Sequence, residues 1–573
     1  MTHRNRWLIP PILTPEADQN LAAFAPLLRQ VLYNRGYATE AGAWTFLKAE
    51  TGFDTDPLQM IGMSVARDRI LAAVHQHEPV VIYGDYDVDG VTATALLVEA
   101  LTSLGAIAEG YIPSRFEEGY GINTEALKGL KSKGVALVIS VDCGIRSPDE
   151  ARFARELGLD LIISDHHHPF EGDLPSALAV INPKQPGDLY PDKDLAGVGI
   201  AYKIAQALLT DGAIANGNGS ALRPDDLLDL VALGTVADLA PLVGENRMLV
   251  RKGLEKIRST KRQGLFSLAN VAELALNKTR ASHIGFMLGP RLNAAGRLDT
   301  ALDALELLTT TDVSKAGLLA QHLDVQNRQR QVLTRSTQEQ AETIALGDDP
   351  EAYLLFAAHE SFNSGVVGLA ASRLSETYYR PAVVAAKGPE ETRGSCRSIP
   401  EFHITDALDQ CRDLLVRHGG HAAAAGFTVR NENLVALVSR LKELAAQKLG
   451  GLDLRATLTA DAEVRLSQMR PELLSVLSWL DPTGYGNPEP AFVARDIKVR
   501  GARVVGAEGK HLKLILEDEL GYTHDAIGFR LGHLQPELQS KVDILFTYEA
   551  NEYNGRVGYQ LNLKDVKPAG TID

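Results

Sequence analysis

Several things are scarce in this chain, and each scarcity excludes a class of protein. Among 573 residues there are three cysteines, Cys143, Cys396 and Cys411. They are too few for a disulfide framework and lack metal-type spacing, which suits a reducing compartment. Apolar runs stay short of the roughly 20 residues a membrane helix needs. The opening "MTHRNRWLIPPILTPEADQN" has basic residues but no apolar centre and no small-residue cleavage site. No signal peptide is read there, and a cytoplasmic location is expected, with no membrane partner. Positive charge is in deficit: 58 Lys and Arg against 73 Asp and Glu give a net charge of -15. The overall field repels polyanions, so any nucleic-acid contact must run through a local basic groove. There is no low-complexity tract and no internal repeat.

What is present is ordinary globular composition, 45% hydrophobic and 23% charged, in a chain too long for one core. Three or four domains are expected. From Ala22 to Phe46 the periodicity is helical. From Pro79 onward, short apolar runs alternate with helical stretches. "VVIY" precedes a helix from Val91, and "AIAEGYIP" a helix over Thr124–Lys133. "VALVISVD" ends at Asp142 and precedes a helix over Ala151–Leu157. "DLIISDHHH" delivers Asp165 at its end, and "ALAVINP" follows. This rhythm predicts an α/β fold with a mostly parallel, doubly wound sheet. Helices are expected from Ile200 and Leu227, and one long connecting helix over about Ala301–Leu346. A second α/β unit begins at "AYLLFAAH" and runs to about Leu449. The remainder, about Arg455–Lys567, has short strands with Gly and Asn turns and predicts a small β-barrel. The expected division is a helical preface over 1–60, a first α/β unit over 61–300, a connecting helix over 301–348, a second α/β unit over 349–450 and the barrel over 451–573.

The stretch "VVIYGDYDVDG" places Asp85, Asp87 and Asp89 at alternate positions straight after an apolar run. Three carboxylates this close repel one another unless solvent or a cation intervenes. The spelling matches the start of a helix-loop-helix calcium loop, but position 12 is Leu96 instead of a bidentate Glu, and a strand precedes it. A turn between strand and helix fits better, at the carboxyl edge where open α/β sheets hold their ligands. Two more strand ends deliver Asp142 in "SVDCG", and Asp165, His166, His167 and His168 in "ISDHHHP". Asp238 in "ALGTVADLAPL" stands near the end of an apolar helix. A lone Asp at a strand end is most often a helix cap, and a lone His most often structural. Their joint occurrence at one sheet edge predicts a site for one or two divalent ions, Mn²⁺ or Mg²⁺, that clamp a phosphoryl group.

These motifs, "DYDVDG", "VDCG", "SDHHHP" and "TVADLAPL", resemble the four ordered motifs of the DHH phosphoesterase superfamily. Within it, Pro113–Asn123, Leu195–Leu208, Gly289–Ala301, Asn363–Leu374, Arg393–Pro400 and Gly419–Phe427 resemble the RecJ family of single-strand-specific DNA exonucleases, over about residues 25–565. The resemblance implies that Asp85, Asp87, Asp89, Asp142, His166 and Asp238 are metal ligands and that His167 supports the site or approaches the scissile phosphate. Related enzymes carry a His four residues before the position of Asp87. Tyr83 stands there, so the second metal is expected to have fewer ligands.

The second α/β unit resembles a DHHA1 domain. Ser395 and Arg397 in "RGSCRS", His421 in "GGHAAAAG", and Arg115 and Arg297 are candidates for phosphate contact. The barrel resembles an OB fold, with Phe492, Lys510, His511, Lys513, Phe529 and Arg530 as candidate contacts to single strands. The implied activity is 5′-to-3′ hydrolysis of single-stranded DNA to 5′-mononucleotides, in DNA repair and recombination. The implied partners are single-stranded DNA, a helicase and a single-strand-binding protein. Two rivals remain open at this point: a phosphodiesterase for short oligonucleotides or cyclic dinucleotides, and a catalytically dead DNA-binding replication factor.

Overall fold

The computed structural model describes residues 5–49, 55–115, 118–119, 121–170, 172–209, 222–553 and 556–571. Phe116, Glu117 and Tyr120 of the Pro113–Asn123 stretch lie outside the described residues.

Five parallel strands form the first sheet, in the spatial order Ile107–Tyr111, Pro79–Tyr83, Leu137–Val141, Asp160–Ser164, Ala179–Ile181. All four pairings are parallel, and the central strands are buried on both faces, which explains their unbroken apolar spelling. The chain steps outward to one side of Pro79–Tyr83, then returns and continues on the other side. The sheet order therefore reverses between Pro79–Tyr83 and Leu137–Val141, and a crevice opens beyond the carboxyl ends of those two strands.

The helix expected from Val91 begins three residues earlier and runs Val88–Ser103, capped by the Asp87 side chain. The capping carboxylate satisfies orphan amides and moves the start forward. The long connecting segment is also not one helix. Leu302–Thr309 and Val313–Asp348 are separate, and Asp312 caps the second with its carboxylate 2.9 Å from the Lys315 amide. The run "TTTD" breaks the pattern because Thr and Asp compete for backbone hydrogen bonds. The second helix has 36 residues, about 54 Å, and packs against helices of both α/β units.

The second unit has a five-stranded mixed sheet. Leu355–His359 and Ala382–Lys387 are parallel, and the remaining pairings are antiparallel. In the last unit Ala491–Val505 pairs with both His511–Glu517 and Lys541–Tyr553, which closes a barrel. Phe492 is fully buried in the barrel's core and is no longer a candidate DNA contact.

The N-terminal helices are docked on that barrel. Leu28, Val31, Leu32, Phe46 and Leu47 share one hydrophobic cluster with Phe492, Phe546 and Leu561. The short strand Arg6–Leu8 pairs in parallel with Thr457–Thr459. Among the described residues no helix is long and apolar enough to cross a membrane.

Candidate metal centre

The sheet register brings the predicted acids together. The Asp142 amide donates to Ser164 O at 3.0 Å, and the Asp165 amide to Ile181 O at 3.1 Å, so each acid is the first residue past its strand. Asp142 then turns with φ of +61°. That is an uncommon conformation for a residue with a Cβ, and it aims the carboxylate across the strand ends at the other acids. Asp87 accepts from the Asp89 amide at 2.9 Å and the Gly90 amide at 3.1 Å, at a helix start where negative charge is favoured. Asp89 is held from the opposite side. Its two oxygens accept from the amides of Gly197 and Val198 at 2.7 and 2.8 Å. A Cβ on Gly197 would stand 2.8 Å from Asp142 Cβ, so only glycine lets that helix start approach.

Three donor groups result. Asp85, Asp87 and Asp142 place ligand atoms within 4.8 Å of one another; so do Asp89, His166 and Asp238, and so do Asp142, His166 and His167. Asp142 belongs to two of these groups, and His166 Nε2 lies 3.0 Å from Asp142 Oδ1. His166 likewise belongs to two of them, so the three groups are contiguous, an arrangement with room for two adjacent cations. A buried atom of the site fits that occupancy. Asp85 Oδ1 is buried with no hydrogen-bond partner among the described residues. Oxygen-rich donors with two imidazoles, His166 and His167, suit hard or borderline divalent ions.

The electrostatics point the same way. Burial, then repulsion from Asp87, raises Asp89 to about 7. Burial, then Asp89 and Asp87, raises Asp238 to about 9. Asp238 also caps the C-terminal end of the helix Leu228–Ala237, where the helix dipole disfavours an anion. Asp85 and Asp142 are pushed well above the usual carboxylate range, chiefly by burial. Burial lowers His166 to about 3, so its ring is neutral and able to ligate. Such crowding destabilises the metal-free fold. Saturating Mn²⁺ should therefore raise the melting temperature of this unit by about 5–10 °C, read by calorimetry with and without chelator. No shift would count against the site.

His167 and Asp165 are a pair. The Asp165 carboxylate lies 2.8 Å from His167 Nδ1, and it accepts from the His167 amide at 3.0 Å and the Ile145 amide at 2.9 Å. Burial opposes ionisation of Asp165, but its contacts with His167 prevail and hold it below the usual range. Asp165 therefore orients His167 and is absent from the donor groups. His168, expected in the same cleft, is exposed and contributes its backbone carbonyl to Arg146 at 2.8 Å. Tyr83 points away. Its hydroxyl donates to Gly121 O at 3.1 Å, inside a separate hydrophobic cluster, because alternation along the strand sends it to the other face.

The phosphate candidates collect at the border with the second α/β unit. The Arg115 guanidinium lies 4.9 Å over the Tyr86 ring, and Arg297 Nη1 donates to Gly365 O at 3.4 Å. Arg397 Nη1 donates to Ser395 Oγ at 3.1 Å and to Cys396 O at 2.8 Å. Burial, then repulsion from Arg115 and Arg330, lowers Arg297 to about 10, with Asp87 opposing. His421 is largely exposed; partial desolvation of its ring, then the charge of Arg146, His167 and His168, lowers its pKa. Sequence reading missed the Gly197–Val198 amides, although "AGVG" marked a glycine-bearing helix start.

The chain matches family models for the DHH family N-terminal domain over residues 79–235, the DHHA1 domain over 351–447 and the RecJ OB domain over 460–565. It is 39% identical over 544 residues to the single-stranded-DNA-specific exonuclease RecJ of Bacillus subtilis (strain 168), covering 94% of this chain and 68% of that one. It is 34% identical to the RecJ of Escherichia coli (strain K12), covering 96% of each. The chain belongs to the RecJ family. The fold agrees along the whole chain: a RecJ structure from Thermus thermophilus in complex with Mn²⁺ superposes with a TM-score of 0.85 at 29% identity, covering 100% of this chain and 80% of that one. A second RecJ structure from the same organism, in complex with Mg²⁺, gives 0.79 at 28% identity, covering 99% and 79%.

Proposed function

We propose that this chain is a divalent-metal-dependent exonuclease that degrades single-stranded DNA from its 5′ end to 5′-mononucleotides, in DNA repair and recombination. The observation that carries the reading is the pair of donor groups meeting at Asp142. The ligand assignment is Asp85, Asp87, Asp89, Asp142, His166 and Asp238. Two Mn²⁺ or Mg²⁺ ions held there would supply Lewis acidity to the phosphoryl oxygens and lower the pKa of the attacking water.

The chain's own residues do the rest. Asp87 and Asp89 are fixed by backbone amides before any ion arrives, so little reorganisation is needed on binding. His167, braced by Asp165 and shifted upward by that hydrogen bond despite its burial, stands where it can donate to a phosphate oxygen or to the leaving 3′ oxygen. Arg115, Arg297 and Arg397 with Ser395 hold the terminal 5′ phosphate, and His421 closes the site from the DHHA1 side. Lys510, Arg530 and His533 of the barrel face Arg335 and Arg373 across a cleft of about 620 Å³ that also holds Glu339, Glu376 and Glu508. Arg335 is ion-paired to Glu339 and Glu508, and Lys510 to Glu508, so the cleft is of mixed charge and Arg373 and Arg530 are its candidate phosphate contacts.

The three-part architecture speaks against a small-substrate enzyme, and the intact donor set against a dead one. We place the protein in the cytoplasm, where its three free, buried cysteines stay reduced, with a helicase and a single-strand-binding protein as suppliers of its substrate. The test is a product time course on strands labelled at either end, with Mn²⁺, with Mg²⁺ and with chelator. Metal-dependent release of mononucleotides from the 5′ end first is expected. Hydrolysis of dinucleotides alone would move the chain to the small-substrate reading, and binding without cleavage would revive the replication factor.

A further inference from the structure

We infer that the segment 484–487, which leads into the barrel, is a splint for Asp238, so that docking of the barrel sets metal affinity. The inference rests on the assignment of Asp238 as a ligand. Asp238 ends its helix, and Leu239 turns the chain with φ of +59°, a costly conformation for leucine. A turn of that kind persists only when its surroundings enforce it. Inside the unit its supports are the Leu239 amide on Val236 O at 3.3 Å, the Ala240 amide on Thr235 O at 3.2 Å, and the burial of Ala240 and Leu242 in the unit's core. The next support comes from the barrel side: the Leu242 amide donates to Tyr485 O at 2.7 Å. Gly486, at φ +72°, lies so close that a Cβ on it would stand 3.0 Å from Pro241 Cβ and 3.2 Å from Pro241 Cα. A Cβ on Gly484 would meet Leu242 Cδ1 at 2.7 Å.

A splint must itself be stiff, and this one is. Gly484 and Asn487 exchange backbone hydrogen bonds at 2.8 and 3.2 Å. Asn487 is fully buried and donates from Nδ2 to the carbonyls of Leu480 and Pro482, both at 2.8 Å. Its Oδ1 accepts from Arg35, which also donates to Pro488 O at 2.6 Å. Arg247, in the helix that follows the supported turn, is 1% exposed. It donates to the carbonyls of Trp479, Leu480, Asp481 and Pro482, and to Phe46 O, with its guanidinium 4.2 Å over the Phe46 ring. The N-terminal helix, the barrel lead-in and the helix behind Asp238 are thereby one locked unit, three residues from a metal ligand. Gly484, Gly486, Asn487 and Arg247 are positioning residues: they touch no substrate, and they act through Asp238.

The test is calorimetric titration of the DNA-free full chain with Mn²⁺, alongside thermal melting. Gly486→Ala pushes on Pro241, whereas Gly451→Ala imposes similar backbone strain at φ +83° with nothing within 4 Å. Asp238→Asn marks which binding step belongs to this ligand. Gly486→Ala is expected to weaken that same step about tenfold, the scale of outer-shell supports, with Gly451→Ala binding as wild type. Gly484→Ala should act in the same direction more weakly, and it carries the test if Gly486→Ala does not fold. Folded Gly486→Ala or Gly484→Ala chains that bind Mn²⁺ as wild type, while Asp238→Asn is weakened, would overturn the splint. Unchanged binding in Asp238→Asn would remove the ligand assignment, and the splint with it.

Discussion

Asp142→Ala is expected to abolish cleavage of single-stranded DNA in Mn²⁺ while leaving the fold in place. Asp142 is shared between two donor groups, so its loss disturbs both cation positions at once. Lewis-acid stabilisation supplies several kcal/mol of the barrier reduction, which is about a thousandfold or more in rate. The fold survives for an electrostatic reason. Asp142 is buried among Asp85, Asp87, Asp89 and Asp238, all of which repel it, so removing its charge relieves the metal-free chain. Asp142 already holds φ +61°, so alanine there adds only the difference in left-handed preference between the two residues, a fraction of the roughly 1–2 kcal/mol that conformation costs. Gel analysis of products and circular dichroism of the same preparation check both halves. Retained hydrolysis in Mn²⁺ would sink the metal assignment.

The second large effect is expected from Arg397→Ala, in binding. Arg397 is braced by Ser395 and its neighbour's carbonyl, so its guanidinium is oriented before a ligand arrives. Charge-assisted hydrogen bonds contribute roughly 1.5–3 kcal/mol each, so a 5′-phosphorylated strand should lose about 10- to 100-fold in affinity. A 5′-hydroxyl strand should lose little. Fluorescence anisotropy with the two strands in chelator separates binding from cleavage. Equal affinity of the variant and wild type for the phosphorylated strand would remove Arg397 from that role.

How much of this was legible beforehand depends on the range of the interaction involved. The acids of "DYDVDG", "SVDCG" and "SDHHH" could be named because strand alternation and the rule for carboxyl edges are local and topological. Asp238 was the harder case, because nothing short of the fold shows that a helix end reaches the same crevice. The division of labour within "SDHHH" was not readable either. His166 enters two donor groups, His167 enters one and is braced by Asp165, and His168 faces solvent, yet all three are spelled alike. The break at Thr310–Asp312 was missed because periodicity carries across three residues, while a capping carboxylate acts at one.

The sequence by itself determined the βα rhythm, the three strand ends with their carboxylates and imidazoles, the need for a local basic path in an acidic chain, and the family. These follow from local patterning and motif spelling, which a chain carries wherever it packs. Only the tertiary structure decided that Asp142 stands between two donor groups, and that the Gly197–Val198 amides clamp Asp89. It alone showed the N-terminal helices sharing the barrel's core, and the barrel lead-in pressing on the turn after Asp238. Each of these joins residues tens to hundreds of positions apart. Such contacts are set by which apolar faces meet and by which buried polar groups find partners there, and neither is written in any one stretch of sequence.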